Sequence, residues 1–310
     1  MDERKQVYLM RVFLLSILTF LILSTSTVAW FFLSMPNPDT ITECLTTEMF
    51  QVELCEKNKT YTRINNISKY MKEIVVISED SSFYQHDGFD WFEMENSFRT
   101  NWREKAFARG GSTITQQLVK NVFLTASKNP IRKLKEAYLA YRIEQILDKK
   151  QILEKYLNVI EFGPGIFGIN KASWHYFNKP PVSLNLLESA FLTYLLPNPK
   201  AYSKVYNKGS LTDFSRRRLQ DLCYKMYRFG RIQESQYMAA KEMINSFPWK
   251  SLDGEQIAAL NGESSFQPDE ELPENLEEML AKPIEGEQEH LDRELSPEEE
   301  IELENSMLDN

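Results

Sequence analysis

Gly110-Gly111-Ser112-Thr113-Ile114-Thr115-Gln116-Gln117-Leu118-Val119-Lys120-Asn121 is the stretch from which the fold is read. Two glycines mark a turn. Thr113 with Gln116 three residues later fits a capping box, so a helix starts here. Along it, Thr113, Gln117, Lys120 and Asn121 fall on one face, and Ile114, Leu118 and Val122 on another. A polar face that begins at a helix N-terminus and carries a lysine suits an anion. Taken alone, the same pattern also describes an ordinary amphipathic helix with a solvated face.

Upstream stands Glu79-Asp80-Ser81-Ser82-Phe83-Tyr84-Gln85-His86-Asp87-Gly88-Phe89-Asp90. The apolar run before it, residues 69–78, reads as a short strand or a buried helix; at this length periodicity does not separate them. Either way Glu79 sits at the edge of a buried element, where desolvation raises a carboxylate pKa. Downstream, Asn129-Pro130 starts a helix to about Leu147. Arg132 and Glu136 lie i, i+4 on one of its faces, an arrangement that in isolation is a surface ion pair. Two carboxylates, a polar helix face and several cations suit general-base work on a hydroxyl beside a phosphate-bearing leaving group.

Residues 151–158 continue the helical pattern. Gly163-Pro164-Gly165-Ile166-Phe167-Gly168 formally matches a dinucleotide fingerprint, but a helical pattern precedes it rather than a strand, so a tight loop is expected. Further helices are expected over residues 171–177, 184–196, 214–227 (with Arg216, Arg217 and Arg218 near its start) and 233–244, the last ordered one. With no convincing run of strands, the body is mainly α.

Residues 12–33 contain no charge and are long enough to span a bilayer core of roughly 30 Å. Arg4, Lys5 and Arg11 precede the span and the next basic residue is Lys57, which places the N-terminus in the cytoplasm and the body outside. A cleaved signal peptide ending near Ala29 is the competing reading and delivers the body to the same compartment. Residues 34–66, of mixed composition, read as a linker. Cys44 and Cys55 are either a disulfide or two free thiols. With Cys223 as the third cysteine and three histidines in all, a zinc site is not expected. The net charge of −9 is unevenly spread: residues 251–310 hold 20 acidic and 2 basic residues, leaving residues 1–250 at +9. A basic body favours an anionic partner, and the acidic, aromatic-poor tail reads as disordered.

Taken in order and spacing, the motifs resemble the peptidoglycan glycosyltransferase family, both monofunctional enzymes and the corresponding domains of penicillin-binding proteins. The resemblance covers residues 67–226. It rests on residues 79–90, 110–121, Arg132-Lys133-Leu134-Lys135-Glu136, Ile152-Leu153-Glu154-Lys155-Tyr156-Leu157-Asn158, the 163–168 loop and, more loosely, the arginine-rich helix. It implies an all-α, lysozyme-like domain over residues 67–250, with a flexible, membrane-dipping lobe between the first two motifs. Ahead of the domain come a cytoplasmic segment (1–11), an anchor (12–33) and the linker; the disordered acidic tail (251–310) follows. It implies lipid II as substrate, Glu79 as general base and Glu136 beside the diphosphate. Ser112, Thr113, Gln117, Lys120, Asn121 and Arg132 would line the donor site, and Asp80, Phe83 and His86 would shape the cleft around the base. A divalent cation, Mg or Mn, at the diphosphate is compatible with the resemblance, without a protein-built metal site. Partners are the growing glycan strand, the cytoplasmic membrane and other cell-wall synthesis or division proteins; nucleic acid is not expected. The sequence lacks Ser-x-x-Lys and Lys-Thr-Gly, so the chain reads as monofunctional. A glycan-cleaving enzyme and a non-enzymatic scaffold are the alternatives; the cations and anchor argue against the first, the intact pair of glutamates against the second.

Overall fold

A computed structural model describes residues 3–104, 111–127 and 129–263. It divides into Met1–Thr40 and Ile41–Asn310. The first unit carries α1 (Glu3–Leu33), whose apolar length is sufficient to cross a membrane.

The second unit is helical with two small hairpins. In chain order come β1 (Leu45–Thr46), β2 (Glu53–Leu54), α2 (Lys69–Glu79), α3 (Trp91–Glu104), α4 (Ile114–Phe123), α5 (Pro130–Ile146) and α6 (Lys149–Val159). There follow β3 (Glu161–Gly163), β4 (Ile166–Phe167), α7 (Ile169–Phe177), α8 (Leu186–Leu195), α9 (Pro199–Tyr202), α10 (Lys204–Lys208), α11 (Asp213–Arg228), α12 (Glu234–Met243) and α13 (Gly254–Asn261). Each hairpin is a two-stranded antiparallel pair. The 163–168 segment is thus a β-hairpin rather than a bare loop.

All ten residues of α8 are buried; most are apolar, and Glu188 is paired with Lys179 at 2.7 Å. Its ten residues are too few to span a bilayer; instead α2 and α11 pack on it, while α4 packs on α5 and α6. The ambiguous 69–78 run is helical. Ser68 caps α2 by accepting from the Tyr70 amide, and Met71, Ile74 and Val75 are fully enclosed. Helix α2 therefore delivers Glu79 from the core to the surface.

Two boundaries shift from their expected places. Much of the expected linker is part of the body, because α6 binds it through side chains. Glu154 accepts from the Tyr61 hydroxyl (2.6 Å) and the Ile64 amide (2.6 Å). Asn158 accepts from the Thr62 amide and donates to the Thr62 carbonyl, both at 2.8 Å. The Cys44–Cys55 disulfide is formed and closes the β1–β2 hairpin. At the other end, α13 extends the body past residue 250, so α12 is not the last helix. Ala259 and Leu260 are buried, and the Asn261 carbonyl accepts from the Tyr70 hydroxyl at 2.7 Å. The rest of the acidic tail, residues 264–310, lies outside the described residues. In the lobe between the first two motifs, α3 is described and residues 105–110 are not.

Candidate active site

Glu79 is the last residue of α2 and is half-buried. Gln117 Nε2, from the second turn of α4, donates to Glu79 Oε2 at 3.0 Å. The Tyr156 hydroxyl, from α6, donates to Gln117 Oε1 at 3.0 Å. An ionised carboxylate only accepts, so the Gln117 amide must turn its nitrogen to Glu79 and its oxygen to Tyr156. Burial pushes the Tyr156 phenol well above its ordinary pKa, which keeps it a donor. Burial also raises the Glu79 pKa. The Gln117 bond and the charges of Lys120 and Arg218 pull it back, and Asp80 adds to the rise.

Asp80 caps the C-terminus of α2 and is buried. Its Oδ2 accepts from the Ile114 amide at 2.9 Å, and its Oδ1 faces His86 Nε2 at 2.8 Å. His86 Nδ1 accepts from the Gly88 amide at 3.1 Å, so the ring proton sits on Nε2 and is donated to Asp80. Thr113 completes the junction. Its hydroxyl donates to the Gly88 carbonyl at 2.8 Å and caps α4 at the Gln116 amide, within a full capping box. Gly88 has φ +89°, and a Cβ there would lie 3.2 Å from Glu144 Cγ on α5; glycine fits both constraints.

This junction corrects one expectation. The start of α4 is not an open anion cradle, because Asp80 and Thr113 already occupy its first free amides. Phe83 differs as well: it is fully buried, with Lys149 Nζ 4.5 Å from its ring centroid. It packs beneath the site rather than lining it.

Positive charge comes from side chains instead. Glu136 on α5 is 2% exposed. Its Oε1 takes the Lys133 ammonium and its Oε2 lies 3.7 Å from Arg132 Nη1. Lys133 Nζ also donates to the Ser112 hydroxyl at 3.2 Å. Lys120 lies three residues after Gln117 on α4. Burial is the largest influence on it and lowers its pKa, as do Arg132 and Lys133, whereas Glu136 and Glu79 both favour its charged form. The two glutamates therefore act on one ammonium. Arg132 Nε is buried without a hydrogen-bond partner among the described residues. Asn121, next to Lys120, is buried at the same end of α4.

The structure thus brings Glu79, Asp80, His86, Thr113 and Gln117 into one hydrogen-bonded assembly, and Ser112, Lys120, Arg132 and Glu136 into an adjoining charged one. It adds three residues the sequence reading did not assign to the site. Lys133 was legible as an i, i+3 partner of Glu136. Tyr156 lies 39 positions from Gln117 and gave no signal beyond an apolar helix pattern. Arg218, one of three consecutive arginines, lines a small cavity with Ser78, next to the base. Among the described residues no cluster of three or more His, Cys, Asp or Glu could hold a metal. The side that carries Arg132 and Lys133 is cationic, and both Glu136 oxygens face cations. This donor set does not fit a protein-held divalent ion.

Residues 46–227, more than half of the chain, match the model of one protein family, described as transglycosylase. The chain belongs to the transglycosylase family. Among curated relatives, it is similar to a biosynthetic peptidoglycan transglycosylase of Methylobacillus flagellatus, 41% identical over 144 residues, covering 46% of this chain and 63% of that protein. Proteins of the same description match in Bordetella pertussis (44% over 155 residues, 49% and 63% covered) and Nitrosomonas eutropha (46% over 136 residues, 44% and 56% covered). The chain therefore spans less than two thirds of the length of these relatives. The family match begins at Thr46, the second residue of β1, and takes in β2 and residues 55–66, in keeping with a transglycosylase domain that takes in most of the expected linker.

Proposed function

We propose that this transglycosylase-family protein is a monofunctional peptidoglycan glycosyltransferase that polymerises lipid II at the outer face of the cytoplasmic membrane. The observation that carries the reading is the Gln117 bond to Glu79 on α4, the helix that also bears Lys120, with Arg132 and Lys133 paired to the buried Glu136 on the neighbouring α5. Inverting transfer needs a base at the acceptor hydroxyl and charge stabilisation at the leaving group, on opposite faces of one carbon.

In this reading Glu79 takes the proton from the acceptor sugar's 4-hydroxyl. The freed oxygen bonds to the donor's anomeric carbon, the bond from that carbon to the diphosphate breaks, and undecaprenyl diphosphate leaves with both electrons. Lys120, Arg132 and Lys133 receive the charge; Arg132 Nε is a donor without another partner among the described residues. Glu136, enclosed between cations, positions them. A carboxylate pKa raised by burial brings the base nearer working pH, which suits proton abstraction. No step is routed through a metal, since the residues do not fit one. Anchoring by α1 with the body outside is supported by the basic residues before the span and by the formed Cys44–Cys55 disulfide, a bond of oxidising compartments.

The test is polymerisation of lipid II by the detergent-solubilised full chain. The wild type makes glycan strands, and Glu79→Gln loses about 10²–10⁴-fold in rate with an unchanged fold. Wild-type rates from Glu79→Gln overturn the base assignment. Cleavage of purified strands without synthesis overturns the biosynthetic reading.

A further inference from the structure

A second cleft, of about 390 Å³, opens between the β1–β2 and β3–β4 hairpins. Both walls are held. The disulfide closes the first hairpin, and the turn beyond β1 is fixed to the end of α4, where the Glu48 and Met49 amides donate to the Val122 and Asn121 carbonyls at 2.9 and 3.4 Å. The other wall is set by Gly168, at φ +82°, where a Cβ would come within 2.6 Å of the Asn158 carbonyl oxygen. Only glycine permits that approach of α7 to α6. Phe50 and Phe167 meet across the hairpins, ring centroids 4.8 Å apart, with Phe50 37% exposed.

The lining combines these aromatic rings with Asn58, Thr60 and Tyr61, and carries one acid and one base. The acid, Glu53, accepts from Asn58 Nδ2 at 2.8 Å. The base, Lys171, is exposed and has no ion-pair or hydrogen-bond partner among the described residues. The Thr60 and Tyr61 hydroxyls already donate to Asn58 Oδ1 and Glu154, so they meet sugar hydroxyls as acceptors; an exposed ring matches the C–H face of a pyranose, and a single free ammonium matches one carboxylate. A bare phosphate would be better met by several cations, and a neutral sugar would leave Lys171 unused.

We propose that this cleft is a second carbohydrate subsite, separate from the reacting groups, that takes an acidic amino-sugar unit with Lys171 on its carboxylate. Naming that unit as N-acetylmuramic acid of a glycan strand rests on the function proposed above. The two sites are connected through α4. At about 1.5 Å per residue, the hairpin anchor at Val122 lies about 8 Å along the helix from Gln117.

The test is calorimetric titration of the full chain in detergent with two probes. One is a peptide-free tetrasaccharide of alternating N-acetylglucosamine and N-acetylmuramic acid; the other is neutral chitotetraose. The wild type is expected to prefer the acidic probe about tenfold, the equivalent of one charge-assisted hydrogen bond. Lys171→Gln, an exposed change that leaves the fold alone, is expected to abolish the preference, and Phe50→Ala to weaken both probes. Equal binding of the probes by the wild type, or a preference that survives Lys171→Gln, overturns the subsite. A Lys171-dependent preference in a protein that does not polymerise lipid II sustains the subsite while overturning the proposed function. Polymerisation without the preference does the reverse.

Discussion

Glu79 is held between opposing influences, and each can be moved by one substitution. Burial raises its proton affinity and the Gln117 amide lowers it. Gln117→Leu removes that donor, so the acid limb of the pH–rate profile is expected to shift to higher pH, while Tyr156→Phe, one bond further out, shifts it less. Stability responds with a defined sign. The folded pKa lies above the unfolded one, so the folded state binds the extra proton between them. The contribution of this group is full below about pH 4 and declines as pH rises through the folded pKa. Glu79→Gln is therefore expected to melt at a higher temperature than the wild type near neutral pH, with the gap closing below about pH 4. At this scale the sequence was partly legible. Glu79 and Gln117 stood out because their motifs pair a carboxylate with a polar helix face. Tyr156 did not, since a tyrosine in an apolar helix pattern announces burial and not the target of its hydroxyl.

Between elements, the decisive contact is Asp80 on the first amide of α4. The start of α4 was readable from Thr113 and Gln116, a local capping signal. That its positive end is taken by Asp80, 34 residues earlier, was not, because helix periodicity says nothing about which carboxylate arrives. Asp80→Asn keeps the shape and removes the charge, and is expected to cost about 1.5–3 kcal/mol in denaturant unfolding. The same blindness explains the misread linker. Residues 41–67 show no period because they are held by scattered contacts, Ile41, Leu54 and Ile67 in the core and Tyr61, Thr62 and Ile64 on Glu154 and Asn158, rather than by one regular apolar face. Glu154→Ala should leave the Ile64 amide unpaired and cost about 1–3 kcal/mol, read as a lower denaturation midpoint with little change in slope. Phe83→Ala, in contrast, empties a core position and should cost about 3–5 kcal/mol.

For the whole molecule, the helical class and the long apolar N-terminal helix were legible from composition and periodicity. The C-terminal limit of the fold was not. Acidic residues dominate from residue 251 onward, and Asp253 and Glu255 at the start of α13 hide two buried side chains behind them. A chain ending at residue 250 is expected to be less stable than one ending at 263 by about 2 kcal/mol or more, from Leu260 alone, measured by thermal and denaturant unfolding of both truncations. The contact that makes α13 matter is the Tyr70 hydroxyl on the Asn261 carbonyl, 191 positions away and on the helix that ends at Glu79. A polypeptide emerging from its N-terminus onward presents that helix 191 positions before its clasp. The helix that ends at Glu79 is thus fastened by a segment synthesised long after it, and a chain interrupted before residue 261 lacks the latch as well as the missing residues.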